Sequence, residues 1–267
     1  MVKHMKKKKW IRIATVIVCL FLIIPTFVII PMSFGSSSFI EFPPRGFSTQ
    51  WYEKFFQDTA WMDALMQSLK VAVLTTGLSL VLGITASEGL VRVEFPGKKV
   101  LEQIYQLPLI IPIIVMAIAM YNFETKISLK GSLAGLVLAH TLLGLPYVIS
   151  AVYSRRVSID KNMELASMNL GGTPLYTMIH VTIPLMRPAI FSGALFAFAS
   201  SFDEVVMSMF ICGIDNETLP KKIWDSVRSE LDPTITAIAA ILILVITIIM
   251  TASSVMEYRK ENPRKIC

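Results

Sequence analysis

Six stretches of the chain, residues 11–32, 65–87, 101–121, 133–153, 189–212 and 235–256, are each apolar over more than twenty positions. About twenty helical residues cross the ~30 Å hydrocarbon layer of a bilayer. A segment inside that layer meets its own backbone hydrogen-bonding needs by forming a helix. A water-soluble fold is excluded on amount alone. With 54% hydrophobic and 16% charged residues, the chain carries more apolar surface than a core of 267 residues can hide. The expected fold class is therefore an all-α polytopic membrane protein with six transmembrane helices. Pro25 lies in the first stretch, Pro108 and Pro112 in the third and Pro146 in the fourth. Each is expected to interrupt its helix, where neighbouring helices or a water-lined cavity can satisfy the freed backbone groups.

Orientation follows from Lys and Arg, which accumulate on the cytoplasmic side. With the N-terminus inside, the inner segments hold Lys3, Lys6, Lys7, Lys8, Lys9 and Arg12; Arg92, Lys98 and Lys99; Arg155, Arg156, Lys161 and Arg187; and Arg259, Lys260, Arg264 and Lys265. The outer segments hold Arg45, Lys54, Lys126, Lys130, Lys221, Lys222 and Arg228, with Lys70 just inside the second stretch. Seventeen against seven places both termini in the cytoplasm. The net charge of +6 is thus a topology signal that needs no nucleic acid to explain it, and the first basic cluster belongs beside anionic headgroups of the membrane lipid. The first stretch is too long for a signal-peptide core and no Ala-x-Ala site follows it, so it is expected to remain as a span.

The outer loop after it begins with the Gly/Ser-rich residues 33–38, read as flexible. Trp51, Tyr52, Phe55, Phe56 and Trp61 then suit a short helix at the membrane interface, either as an anchor or as a docking surface for a binding protein. The last outer loop sets Asp215, Glu217, Asp225, Glu230 and Asp232 against Lys221, Lys222 and Arg228, a balance compatible with passing cations or with an ordinary solvated loop. Cys19, Cys212 and Cys267 have neither pairing nor metal spacing, and His4, His140 and His180 are scattered, so packing or solvation accounts for them and no cofactor or metal is expected.

One polar segment speaks about mechanism. Asp160 can cap a short helix, Glu164 sits near its positive end, Ala166 and Ser167 keep one surface low, and Gly171-Gly172 can stop it in a left-handed turn. Thr173-Pro174 can restart a second short helix, which Pro184 is expected to end. The product is a helix-turn-helix knob between two spans.

Glu164, Ala166, Gly171, Ile183 and Pro184 together resemble the "EAA" loop of ABC-importer permeases, with Leu165 where a second Ala is usual. Phe42-Pro43-Pro44-Arg45-Gly46-Phe47, Ser201-Phe202-Asp203-Glu204-Val205-Val206 and Thr218-Leu219-Pro220 resemble the spermidine/putrescine branch of that family. The resemblance implies a type I ABC-importer permease fold and a loop that docks into a separate ATPase. Glu164, Ala166, Gly171 and Pro184 would be its coupling residues. It also implies as partners a second permease subunit, two ATP-binding-cassette ATPase subunits and an external substrate-binding protein. On this reading residues 1–64 form the basic segment, first helix and outer loop; 65–258 form a five-helix core with its coupling loop at 155–187; and 259–267 form a cytoplasmic tail. The chain has no G-x-x-x-x-G-K-[ST] phosphate cradle, nor the H-E-x-x-H or G-x-S-x-G of membrane hydrolases, so it is expected to be a transport subunit rather than an enzyme.

Asp203 and Glu204 fall in the outer half of the fifth stretch, where a charged group costs about 2.5–3.5 kcal/mol at full depth. In one continuous helix Ser201, Glu204 and Ser208 would share one stripe and Ser200, Asp203 and Met207 the next. Two readings stay open. The carboxylates, with Ser201 and Phe202, line a pathway for polyamine ammonium groups, Phe202 or Phe210 adding cation–π contact; or they brace the helix through an ion pair with Lys70. An importer of an amino acid, ferric ion or oxyanion is the alternative within the class. A secondary transporter or channel, with a coupling ion on these carboxylates, is the alternative outside it.

Overall fold

The computed structural model describes residues 2–229 and 231–261, with the side chains of 2–9, 249–250 and 252–261 outside the description. His4, Glu230, Cys267 and the terminal basic residues Lys3, Lys6, Lys7, Lys8, Lys9, Arg259, Lys260, Arg264 and Lys265 therefore lie outside the described residues or side chains. The described residues are helical apart from loops and one isolated bridge between Gly35 and Phe47. They fall into two compact units, Met1–Met62 with Asp225–Cys267, and Asp63–Trp224.

In the first unit, α1 (Val2–Ser33) runs without a break through Pro25 and Pro31, so the expected interruption at Pro25 is absent. Between Trp10 and Phe27 its side chains are almost all exposed, which marks a helix for lipid to cover. Residues 33–38 are tied down rather than flexible: the Trp51 indole donates to the Gly35 carbonyl at 2.8 Å and the Ser33 and Tyr52 hydroxyls lie 2.6 Å apart. The expected short helix is α2 (Gln50–Gln57). Phe55 and Trp61 are buried and only Phe56 stays largely exposed, so these aromatics pack inward more than they face an interface. Lys54 pairs with Asp232 at 2.8 Å.

The second unit contains most of α3 (Thr59–Arg92), then α4 (Lys98–Ile104), α5 (Leu107–Ile110), α6 (Ile113–Lys126), α7 (Leu133–Val157), α8 (Lys161–Asn169), α9 (Pro174–Thr177), a π turn (Met178–Thr182), α10 (Ile183–Phe202) and α11 (Val206–Ile211). The junction between the units falls in α12 (Leu219–Ser229), and α13 (Thr234–Glu261) follows. The core lies where α7 meets its neighbours: Val71, Met116, Ala117, Leu136, Ala139, Leu143, Met207 and Ile211 form one buried cluster. Val148, Val152, Ile159, Met186 and Ala197 form a second. Small residues permit the close crossings: a Cβ on Gly83 would stand 2.5 Å from a Val148 methyl, and one on Gly193 3.1 Å from the Val148 Cα.

Among the described residues, four helices are long and apolar enough to cross a membrane, Trp10–Ser33, Thr59–Arg92, Leu133–Val157 and Pro174–Phe202. A fifth candidate is the pair Lys98–Ile110 and Ile113–Lys126, bent by 104° at Ile111-Pro112. The third stretch is therefore interrupted at Pro112, while Pro108 stands in the first turn of α5. Pro146 interrupts nothing: α7 passes through it, with Pro146 buried among packed neighbours. The apolar part of α13 whose side chains are described is Thr234–Ile248.

Two corrections concern the fifth stretch. Pro184 does not end the second short helix; α9 passes through the π turn into α10, with Pro184 in the first turn of α10. The π turn bonds Ile183 N–H to the Met178 carbonyl, five residues back, which shifts the ladder where Pro184 supplies no donor. The expected continuous helix over 189–212 is also divided, because α10 stops at Phe202 and α11 starts at Val206.

Candidate functional site

Helix α8 is built as the polar segment suggests. Asp160 accepts from the Asn162 N–H at 2.9 Å, Gly171 adopts φ +90°, and Thr173 caps α9 by accepting from Tyr176 N–H. Nothing lies near a Cβ at Gly171, so backbone conformation alone selects glycine there. Gly172 differs, since its Cβ would come within 2.9 Å of the Ser167 carbonyl.

Glu164 does not face outward. It is buried and held by three groups from three elements: Arg156 Nη2 lies 2.9 and 3.0 Å from its two oxygens, Arg92 Nη2 lies 3.1 Å from one, and the Thr182 hydroxyl of the π turn donates to it. Arg156 also bonds Glu88 at 2.7 Å. Arg92 Nε stands 2.9 Å from the other Glu88 oxygen, a charge contact without hydrogen-bond alignment. Two carboxylates and two guanidiniums thus close a neutral cluster joining the ends of α3 and α7 to α8. Burial opposes ionisation of Glu164, but the Thr182 hydrogen bond and the Arg156 and Arg92 charges outweigh it and hold its carboxyl below the ordinary range.

With Glu164 turned inward, the opposite side of the loop is apolar and open. Leu165 and Ala166 are exposed on α8, Leu170 at the turn is 90% exposed, and Leu175, Tyr176 and Ile179 continue the surface. A shallow concavity beside it is lined by Met163, Ser167, Leu170, Gly172, Thr173 and Tyr176.

At the break in the fifth stretch, the two acidic residues part company. Asp203 closes α10 through its N–H to the Ala199 carbonyl, and its side chain is exposed. Glu204 is buried, and its carboxylate accepts from the Met207 N–H at 2.9 Å, capping α11. Among the described residues Lys70 forms no ion pair with either, so the Lys70 brace is not the arrangement found. Ser201 is buried and bonded to His140, while Phe202 is half-buried and stacks on Phe198, ring centroids 5.8 Å apart. Two of the outer acids are paired with cations, Glu217 with Lys221 at 2.8 Å and Lys222 at 3.6 Å, and Asp232 with Lys54.

The sequence reading missed Glu88, counted Arg92 and Arg156 only as topology charges, and left His140 as packing. The available signal was Glu88 and Arg92, an i,i+4 acid–base pair at the mouth of an apolar helix. Glu124 was also passed over. It is fully buried, with neither carboxylate oxygen hydrogen-bonded, and lies against Gly135 in the first turn of α7, whose positive end favours it.

Residues 79–260 match the family described as binding-protein-dependent transport system inner membrane component. The chain is 30% identical over 246 residues to the spermidine/putrescine transport system permease protein PotC of Haemophilus influenzae, covering 92% of this chain and 95% of that protein. It is 31% identical over 252 residues to the putrescine transport system permease protein PotI of Escherichia coli, covering 91% and 89%. In fold it is similar to a chain of a bacterial ABC transporter involved in the import of the acidic polysaccharide alginate, with TM-score 0.68, 17% identity and coverage of 92% and 94%. A chain of an amino acid ABC transporter aligns with TM-score 0.57 and 19% identity, over 78% and 98%.

Proposed function

We propose, from the premise that this chain belongs to the binding-protein-dependent transport system inner membrane components, that it lines the pathway of an ATP-driven importer of polyamines. As such a component it is a multi-pass transport subunit of the cytoplasmic membrane. Six spans with both termini inside, a second permease subunit, two ATPase subunits and an external binding protein complete the proposal. Residues 1–64, 65–258 and 259–267 are its peripheral segment, core and tail.

The observation that carries the substrate reading is the break after Phe202. Irregular backbone at membrane depth is tolerated where protein or a water-filled cavity surrounds it, and broken helices commonly form transport sites. Here the break leaves Asp203 exposed, one residue after Phe202, whose ring stacks on Phe198. A polyamine offers ammonium groups to the first and methylenes to the second. The names of the relatives favour the same solute class. Energy would enter through the loop of Glu164, Ala166, Gly171 and Pro184, whose exposed apolar surface suits an ATPase cleft in helix-in-groove fashion.

The test is uptake of radiolabelled spermidine and putrescine per assembled complex in Asp203→Asn, Glu204→Gln and Lys70→Met. Asp203→Asn is expected to assemble normally and to lose about tenfold in uptake, the value of a charge-assisted contact made neutral. Glu204→Gln keeps an acceptor for Met207 and should lose less; Lys70→Met should change neither quantity. Normal uptake in Asp203→Asn would remove the polyamine site.

A further inference from the structure

His140 of α7 stands at the break. Its Nδ1 lies 2.9 Å from the Ser201 hydroxyl oxygen and 3.1 Å from the Ser201 carbonyl oxygen, both on the last turn of α10. Its Nε2 lies 3.3 Å from the Ser208 hydroxyl oxygen on α11. All three side chains are buried. A carbonyl only accepts, so Nδ1 carries the proton and Nε2 is left as an acceptor for Ser208. The Ser208 hydroxyl is also 3.0 Å from the carbonyl of Glu204, inside the break, and its single proton serves either that carbonyl or Nε2. One imidazole therefore reaches both helix ends. An imidazole that only filled space would need no hydroxyl at each nitrogen.

We propose that His140 is a positioning residue that staples α10 to α11 and so fixes where the intervening Asp203 carboxylate is presented to a cationic substrate. The inference rests on the reading of Asp203 as a pathway residue. Ser201 is then part of the staple rather than a substrate contact. Rigid ends matter because a break has no helical ladder to hold its middle residues, and a displacement of about 1 Å at a binding group can cost on the order of a hundredfold in function.

The experiment compares His140→Phe, which fills the volume and loses both contacts, with His140→Asn, which retains a donor near the Nδ1 position and loses the Ser208 contact. Two quantities are measured on the full complex. The first is the rate at which a maleimide labels the thiol introduced by Asp203→Cys in detergent, with Cys19, Cys212 and Cys267 replaced by Ser. The second is uptake of radiolabelled spermidine per assembled complex without the Asp203 change. Labelling is expected to shift about fivefold in His140→Asn and further in His140→Phe, as buried hydrogen bonds are lost. Uptake should fall about tenfold in His140→Phe with partial recovery in His140→Asn. If His140→Phe fails to assemble, His140→Asn decides alone. Labelling within about twofold of the parent together with unchanged uptake overturns the staple. Shifted labelling with uptake indifferent to Asp203→Asn leaves the staple standing and removes the polyamine reading instead.

Discussion

Glu164 is the residue whose surroundings the sequence least foretold. At the N-terminal end of α8 it was read as part of a docking knob; its carboxylate instead points at Arg156, Arg92 and Thr182. Its folded pKa lies below the ordinary 4.5, so its contribution to stability is complete above about that pH and is lost as pH falls through the lower folded value. Melting of the purified complex should thus steepen in its pH dependence below about 4.5, and Glu164→Gln should be less stable at neutral pH but flatter in acid. Equal acid slopes in the two proteins would show that this carboxylate is not held as described. At Gly171 the constraint is backbone alone: φ +90° in open space. Gly171→Val should cost about 1–2 kcal/mol locally, leave the subunit in the membrane and uncouple ATP hydrolysis from uptake. Normal uptake with intact ATPase stimulation would mean that the turn is not part of the coupling surface.

Between elements, α8 is tied to the ends of α3 and α7 by charge. The Glu88, Arg92, Arg156 and Glu164 cluster ties α8 to the ends of α3 and α7, and Thr182 adds the π turn that opens into α10. A force on α8 therefore reaches three membrane helices at once. Arg156 is central, almost wholly buried and bonded to both acids. Arg156→Met leaves two buried carboxylates with one cation, and removing one partner of a buried pair costs about 3–5 kcal/mol. Adding Glu88→Gln and Glu164→Gln should recover part of that loss, a coupling visible in a mutant cycle of melting temperatures or assembly yields. Strict additivity of the three changes would mean that the charges act separately.

For the whole molecule, the unequal division of Lys and Arg remains the argument for orientation. Cysteines placed within 160–172 should react only from the cytoplasm, and those within 213–232 only from outside, once Cys212 has been replaced. Reaction of both loops from one side would overturn six spans with internal termini. The fold similarity to ABC-transporter chains of under 20% identity shows how little of this architecture depends on particular side chains.

What the sequence determined by itself is whatever depends on local composition. Apolar length requires membrane helices, basic residues argue their direction, and Asp160, Gly171 and Thr173-Pro174 specify a helix, a left-handed turn and a second helix start, because caps and turns are chosen by neighbours within a few positions. Tertiary structure decided the rest. Pro25 and Pro146, one exposed and one buried, lie in unbroken helices while Pro112 marks a bend, so proline by itself does not fix where a span breaks. Asp203 and Glu204, adjacent and alike in type, became one exposed and one buried because α10 ends between Ser201 and the acids' own loop, where His140 from a helix sixty residues away meets it. Partners that distant in sequence leave no periodic trace, and only the folded chain shows that Arg92 reaches Glu164, that Arg156 bridges Glu88 to it, or that His140 contacts both sides of the break.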